Sequence, residues 1–174
     1  ISGGKQGHVG GVERQTSLMA KWFAGQGHTV SLLTWDEGGS SEEHIDGVRV
    51  IKICQRESGI PGVRFFSPRW TGLVRAMKAA DADVYYQNCG EYVTGQVAMF
   101  CKRHNRKFVY SLASDADADA SLAEMRTTYE KVFYRYGLRH SDWILTQTRK
   151  QAQLLKSGFG LDSQIMPMPC PGPT

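Results

Sequence analysis

The sequence predicts an α/β fold in which an open sheet of parallel strands is covered by helices on both faces. Short apolar segments of strand length alternate along the chain with amphipathic segments of helical period. Helical connections of about ten residues or more join parallel strands, and such crossovers are right-handed. The 174 residues, 41% of them hydrophobic, suffice for one domain with a sizeable core. The expected architecture is therefore a Rossmann-like sheet.

The N-terminal part of the chain is expected to form one helix and two strands. Apolar residues at helical spacing predict a helix over 12–24, which an αL stop at Gly25-Gln26-Gly27 ends. Mostly apolar segments predict strands over 28–35 and 48–53. The polar run 36–44 between them breaks the pattern.

The alternation of helices and strands continues after a long loop. Glycines and prolines across 55–68 sustain neither the helical nor the strand period and predict that loop. A helical face over 70–77 and a short buried strand over 84–86 follow. A further helix is expected over 93–101 and a further strand over 108–112.

Two capping patterns mark the remaining helices. Ser121-Leu122-Ala123-Glu124 has the spacing of a capping box and predicts a helix over 121–138. A strand is expected over 143–146, and Thr148-Arg149-Lys150-Gln151 is a second capping box. Gly158 is the predicted C-cap of the helix that this box opens, and residues 165–166 end the series.

Charge and cysteine content exclude several classes of protein. The net charge of +4 is well below the balance of a dedicated nucleic-acid binder, so no nucleic acid is expected as a partner. The four cysteines lie far apart without a C-x-x-C pair, which predicts reduced, buried thiols in a cytoplasmic protein. No apolar run is long enough to span a bilayer, and the N-terminus lacks the pattern of a secretory signal.

A glycine-rich loop precedes the first helix. Its Gly10-Gly11 pair meets a helix N-terminus, where unpaired amides and the helix dipole favour a phosphate group, and His8 lies within the same loop. The loop fits neither a P-loop nor G-x-G-x-x-G, and a flexible βα turn is the alternative. Because only Ile1 and Ser2 precede the loop, we expect residues upstream of Ile1 to complete a first strand.

Several segments together resemble a known enzyme family. They are Gly10-Gly11-Val12-Glu13-Arg14, Gly25-Gln26-Gly27-His28-Thr29-Val30, Asp142-Trp143-Ile144-Leu145-Thr146-Gln147-Thr148 and Ile165-Met166-Pro167-Met168-Pro169. In this order and at these distances they resemble the N-terminal half of a retaining, family 4 (group 1) glycosyltransferase of GT-B fold. The resemblance spans nearly the whole chain.

The resemblance implies a two-domain enzyme that transfers a sugar from a nucleoside-diphosphate sugar to a saccharide or lipid-linked acceptor with retention. Residues 1–166 would form the acceptor-binding domain, and 167–174 would begin the linker to an absent donor-binding domain. The implied donor-phosphate or acceptor contacts are His8, Gly10, Gly11 and Glu13. No cofactor beyond the nucleotide-sugar substrate is implied, and this half alone should be an inactive part of a hexosyltransferase, as in polysaccharide biosynthesis.

Further site residues follow from the expected sheet, because ligands bind an open α/β sheet at the carboxyl ends of its strands. This rule selects Asn88, Glu91, Ser114, Asp115, Gln147 and Thr148 as acceptor or sugar contacts. The family places a sugar-contacting histidine within the segment that corresponds to 111–117, and this sequence has none there. Ser114 or Asp115 is the proposed substitute, and a polar strand end capped by solvent is the alternative.

The acidic run 115–119 suggests a metal site, but the pattern of a calcium loop fails in two places. Ala120 stands where that loop needs glycine, and Arg126 stands where it needs a bidentate glutamate. The run also resembles the D-x-D motif of the GT-A glycosyltransferase fold, whereas the βα alternation favours GT-B. No metal is therefore expected.

Two alternative functions stay open. A stand-alone flavodoxin-like or receiver-like binding module has the same alternation of strands and helices. Another GT-B-type enzyme, such as a sugar-nucleotide epimerase, would share the fold. Basic residues on the later helices allow peripheral contact with an anionic membrane at its inner face, although solvated helix faces also explain them: Arg126, Lys131, Arg135, Arg139, Arg149 and Lys150.

Overall fold

A computed structural model describes residues 11–38, 42–55, 58–59 and 65–167. The chain divides into two compact units, of which the first ends at Ala82 and the second begins at Asp83. The predicted glycine loop, with His8 and Gly10, and the proline-rich end lie outside the described residues.

The first unit has helices on a small mixed sheet. Its elements are α1 (Gly11–Gly25), β1 (Val30–Thr34), β2 (Glu42–Ile45), β3 (Val48–Lys52), a kinked segment (Phe65–Trp70) with extended backbone at Ser67, and α2 (Thr71–Ala80). The strand order is β1-β3-β2, with β1 parallel and β2 antiparallel to β3. The core lies on β3 and α2, where Val48, Ala76 and Met77 are fully or almost fully buried.

The predicted end of the first helix is confirmed. The His28 N–H donates to the Phe23 carbonyl at 3.2 Å, and the Gly27 N–H donates to the Ala24 carbonyl at 3.0 Å. These two bonds, with Gly27 at φ +88°, form a Schellman motif. The backbone then turns directly into β1, which confirms the strand predicted over 28–35.

Strand β2 corrects the expectation that the polar run 36–44 contains no strand and that all pairing is parallel. Asp46 and Gly47, both with positive φ, form a tight turn that folds β2 back on β3. Arg49 of β3 holds both carboxylate oxygens of Glu42 at 2.6 and 2.9 Å. A charged strand of this kind is stable at a sheet edge because cross-strand pairs replace apolar burial.

The second unit is a parallel sheet flanked by helices, as predicted. Its elements are β4 (Val84–Asn88), α3 (Val93–His104), β5 (Lys107–Ser111), α4 (Asp115–Ala118), α5 (Thr128–Arg139), β6 (Trp143–Thr146), α6 (Arg149–Phe159) and β7 (Gln164–Ile165). The strand order is β4-β5-β6-β7, and every pairing is parallel. Phe108 and Tyr110 of β5 are completely buried, as are Tyr134 of α5 and Leu155 of α6.

Two predicted helix boundaries in this unit are wrong. The segment after Ser121 is not helical, because Leu122 has φ +49° and buries its side chain to 2% exposure. The helix begins instead at Thr128, where Thr127 and Glu130 form a capping box. Gly158 lies inside α6, and Gly160 at φ +72° is the C-cap.

Candidate functional site at the strand ends

The strand register brings the ends of three strands to one edge of the sheet. Asn88 pairs with Ser111, and Ser111 pairs with Leu145. The loops that follow β4, β5 and β6 therefore begin side by side. The candidates selected from the sequence at strand ends all lie in or beside these loops: Asn88, Glu91, Ser114, Asp115, Gln147 and Thr148.

Asn88 ends β4 with a carboxamide whose two polar atoms are buried. Neither Nδ2 nor Oδ1 has a hydrogen-bond partner among the described residues. A buried amide in this state costs about 1–3 kcal/mol, and a polar ligand recovers that energy. The carboxamide offers a donor and an acceptor together, which is the pattern that a hydroxyl group matches.

Glu91 lies at the start of the turn into α3 and is exposed. Its N–H donates to Thr94 Oγ1 at 3.4 Å, and its carbonyl accepts from the Thr94 N–H at 3.1 Å. These bonds to the completely buried Thr94 hold the backbone of the loop after β4 against α3.

Ser114 and Asp115 lie where the loop after β5 enters α4. Ser114 is the exposed N-cap residue, with extended backbone at φ −143° and ψ 169°. Asp115 forms an ion pair with Lys150 of α6 at 2.6 Å. The hydrogen bond and charge of Lys150 lower the pKa of the Asp115 carboxyl and raise that of the Lys150 ammonium. Asp115 thus connects α4 to α6.

Gln147 and Thr148 form hydrogen bonds that hold the loops of the site in place. Gln147 Nε2 donates to the Leu112 carbonyl at 3.0 Å, and the Gln147 N–H donates to Gln151 Oε1 at 2.8 Å. Thr148 Oγ1 accepts from the Gln151 N–H at 3.2 Å, which confirms Thr148 as the cap of α6. These bonds connect the loop after β6 to the loop after β5.

Asp117 was not selected from the sequence as a site residue. It is 6% exposed, and its carboxylate accepts hydrogen bonds from three main-chain N–H groups. The donors are Gly90 at 3.2 Å, Ala113 at 2.8 Å and Ser114 at 3.1 Å. The spacing Ser114-x-x-Asp117, which is that of a helix cap, is the sequence signal that would have found it.

Each aspartate of the acidic run 115–119 binds a partner within the protein. Asp115 binds Lys150, Asp117 binds the main-chain amides, and Asp119 accepts from the Ser121 N–H at 2.8 Å. Within the described ranges, no group of three or more His, Cys, Asp or Glu side chains is arranged to hold a metal ion.

The candidates at the start of α1 belong to the first unit. Gly11 is the first residue of α1, and Glu13 is an exposed acidic residue in the first turn of that helix. His8 and Gly10 precede the described residues.

The outer face of α5 combines apolar and basic side chains. Val132 is 56% exposed, Arg135 and Arg139 are exposed, and the Tyr136 and His140 rings stack with their centroids 4.0 Å apart. Across the described residues, the structure has no helix of the length and hydropathy that a membrane span requires.

Both the sequence and the fold of this chain are similar to those of known proteins. Residues 10–171 match the sequence profile described as "Glycosyl transferase 4-like domain". No curated protein sequence gives a significant match. Among solved structures, the sucrose-phosphate synthase of Thermosynechococcus elongatus is similar in fold, with a TM-score of 0.68 and 18% identity. The similarity covers 91% of this chain and 43% of that protein. This chain belongs to the glycosyl transferase 4-like domain family, and its fold is that of the N-terminal half of a GT-B glycosyltransferase.

Proposed function

We propose that this chain is the acceptor-side domain of a retaining glycosyltransferase that uses a nucleoside-diphosphate sugar. Family membership over residues 10–171 supports transfer of a glycosyl group. The chain spans 43% of the length of the similar synthase structure, which fits one half of a two-domain enzyme. In this proposal residues 1–166 are the domain, 167–174 lead into the donor-binding half, and a hexose passes to a saccharide or lipid-linked acceptor, as in polysaccharide biosynthesis.

The buried carboxamide of Asn88 is the observation that carries the acceptor assignment. Its two polar atoms have no partner among the described residues, and they lie at the edge where open α/β sheets bind ligands. A hydroxyl group can accept from Nδ2 and donate to Oδ1, so a sugar is the ligand class that matches best. Exposed Ser114, in the neighbouring loop, would contact a second hydroxyl.

The other candidate residues form two groups. Those of the first group hold the loops of the site in place or lie at its entrance, and those of the second are proposed to contact the donor diphosphate or the acceptor. Asp115, Gln147 and Thr148 would hold the loops in place through Lys150, Leu112 and Gln151, while Glu91 would line the mouth of the site. His8, Gly10, Gly11 and Glu13 are proposed at the donor diphosphate or acceptor, where α1 contributes its positive N-terminal dipole. Positive groups expected in the donor-binding half, helped by the glycine-loop amides, would stabilise the leaving diphosphate and so lower the barrier to transfer. The nucleotide sugar is the substrate, and the proposal includes no cofactor.

The test uses the full-length enzyme with its donor half. UDP- and GDP-sugars are titrated calorimetrically, and transfer is assayed against a panel of saccharide and lipid-linked acceptors. We expect one donor to bind tightly. Asn88→Ala should raise the acceptor KM about 10-fold, because losing a buried polar contact costs on the order of 1–3 kcal/mol, and should leave the donor Kd unchanged.

Gln164→Ala is the matched control for Asn88→Ala, because it removes an exposed carboxamide from β7. It should leave both constants unchanged. Failure of the full-length protein to bind any nucleotide sugar would overturn the proposal. Release of a free sugar epimer without an acceptor would select the epimerase alternative instead.

This half should transfer no sugar by itself, because most donor contacts are proposed to lie in the other half. Assaying the 174 residues against the full-length enzyme at equal concentration tests this. A transfer rate equal to that of the full-length enzyme would contradict the division of the site between two domains.

We also propose a cytoplasmic location with peripheral contact at the inner face of the membrane through α5. Arg135 and Arg139 offer positive charge beside the exposed Val132, a combination that favours anionic lipid surfaces. Co-sedimentation should show binding to phosphatidylserine vesicles, lost on Arg135→Glu with Arg139→Glu, and none to phosphatidylcholine vesicles. Equal sedimentation with both kinds of vesicle would contradict a charge-based contact.

A further inference from the structure

Two loops at the candidate site share one buried carboxylate. Oδ1 of Asp117 accepts from the Gly90 N–H in the loop after β4, and Oδ2 accepts from the Ala113 and Ser114 N–H groups in the loop after β5. A helix cap alone requires only the bond to Ser114. The bond to Gly90, 27 residues away in the chain, gives Asp117 a tertiary role as well.

This carboxylate is one of the contacts that hold the loop after β4. Cys89 has φ +82°, a left-handed conformation that residues with a side chain rarely adopt without support from their surroundings. A Cβ at Gly90 would lie 2.6 Å from Asp117 Oδ1, so the backbone approaches the carboxylate as closely as glycine permits. The Gly90–Asp117 contact therefore holds the turn that directly follows Asn88.

Asp117 is itself anchored to the core of the second unit. The Tyr134 hydroxyl donates to the Asp117 carbonyl at 2.6 Å, and the Tyr110 hydroxyl lies 3.0 Å from that of Tyr134. Both tyrosines are completely buried. Among the described residues, no cation pairs with the Asp117 carboxylate, whose bonds all come from main-chain amides. The buried tyrosines therefore fix the position of Asp117, and the Asp117 carboxylate in turn fixes the positions of both loops.

We propose that Asp117 is a positioning residue of the candidate site, which fixes the loop carrying Asn88 relative to the loop carrying Ser114. This inference rests on the proposed function for its effect on acceptor use. Asp117 touches no substrate and acts through the two loops.

The test compares Asp117→Asn with Glu130→Gln in the full-length enzyme. Glu130 is a matched control, because its carboxylate also caps a helix at the third position but, among the residues described, accepts a hydrogen bond from the Thr127 N–H alone, at 2.9 Å. Asp117→Asn keeps the size of the side chain but presents an NH2 group to an amide donor. We expect the acceptor KM to rise about 10-fold, as for loss of one positioned contact, with donor Kd unchanged, and Glu130→Gln to change neither.

Coupling to Asn88 separates positioning from a loss of general stability. If Asp117 acts through the loop carrying Asn88, the double variant Asp117→Asn/Asn88→Ala should be little worse than either single variant. Multiplicative KM effects, an unchanged KM in Asp117→Asn, or an equal loss in Glu130→Gln would each overturn the inference.

Hydrogen exchange tests the connection independently of any activity. Asp117→Asn should accelerate amide exchange in both loops, at 89–91 and at 113–114, while Glu130→Gln should leave both unchanged. Acceleration in the loop after β5 alone would reduce Asp117 to a helix cap and refute the inference. If no sugar transfer is found in the wild type, the proposed function fails, and exchange still decides whether Asp117 connects the loops.

Discussion

Burial dominates the chemistry of the thiols in the described part of the chain. Cys101 is 2% exposed, and burial, with a contribution from Asp142, raises its pKa to about 12. Burial raises the pKa of Cys89 to about 11, with further contributions from Asp117 and Glu91. Burial also raises the pKa of Cys54, against the opposing effect of Arg69 and Arg75. All three are free cysteines, and Cys101 is buried as the sequence predicts, whereas Cys54 and Cys89 are only half-buried.

Cys89 and Cys101 should therefore resist alkylation, because the thiolate is the reactive species. At pH 7.5 we expect iodoacetamide to modify Cys89 at least about 100-fold more slowly than in the urea-unfolded chain, since a pKa two units higher leaves about one hundredth of the thiolate. Peptide mass spectrometry measures both rates. The rate at Cys89 should still be rising at pH 10, and a plateau near pH 9 would show that the thiol is not held in this environment.

The close packing of α3 on α5 depends on two glycines. A Cβ at Gly95 would lie 2.4 Å from the Phe133 carbonyl oxygen, and a Cβ at Gly137 would lie 2.6 Å from the Thr94 carbonyl carbon. Both obstacles are backbone, which cannot rotate away as a flexible side chain can. The two helices therefore approach to a distance that only glycine allows at these positions, and this contact supports the backbone of α3 next to the loop after β4.

Gly137→Ala should destabilise the protein although alanine is the better helix former. Helix propensity favours alanine by about 1 kcal/mol, but overpacking costs about 1–3 kcal/mol or more where backbone blocks the new atom. We expect a net loss of about 1–2 kcal/mol in the free energy of unfolding, measured in urea. Gly25→Ala is the control, since among the described residues no atom from outside its own stretch of helix lies within 4 Å of its Cβ position. A stabilised Gly137→Ala protein would contradict the close approach of α3 and α5.

Carboxylates with lowered pKa values occur in both units of the molecule. Arg49 lowers the pKa of Glu42, Lys21 that of Asp46, Lys150 that of Asp115, and the Ser121 N–H that of Asp119. At Asp142, burial acts to raise the pKa, but Lys107 Nζ at 2.6 Å and the Phe108 N–H at 2.9 Å outweigh it, so the net pKa is lowered. Carboxylates in both units therefore make the free energy of unfolding depend on pH in the acid range.

Stability should decline as the pH falls below about 4. A carboxylate whose pKa is lower in the folded state stabilises that state above its unfolded pKa, here 3.8 for aspartate and 4.5 for glutamate, and the contribution is lost as the pH falls through the folded value. Urea midpoints from pH 7 to pH 3 measure this decline. Asp142→Asn should be less stable than wild type at pH 7 and should approach it at pH 3. An equal difference at both pH values would contradict the assignment.

Local sequence patterns predicted most of the elements and the edge of the sheet that carries the candidate site. Strand β5 and helices α1 and α6 have strong apolar periodicity or caps, which are properties of adjacent residues. Prediction from the sequence failed where contacts between residues distant in the chain determine the secondary structure. Charged β2 is a strand because Arg49 pairs with Glu42 across the sheet, and the Ser121 capping box opens no helix because Leu122 is drawn into the core.

By itself, the sequence determined the α/β class, the parallel pairing of the later strands and the family, since these follow from the spacing of apolar residues, caps and short motifs along the chain. Only the tertiary structure decided which strand-end side chains are engaged. Asp115 meets Lys150 of α6, and Gln147 meets Leu112 of the loop after β5, while the Asn88 carboxamide meets no described partner. The physical reason is that a hydrogen bond depends on atoms within about 3 Å in space, and only the folded sheet brings such distant residues together.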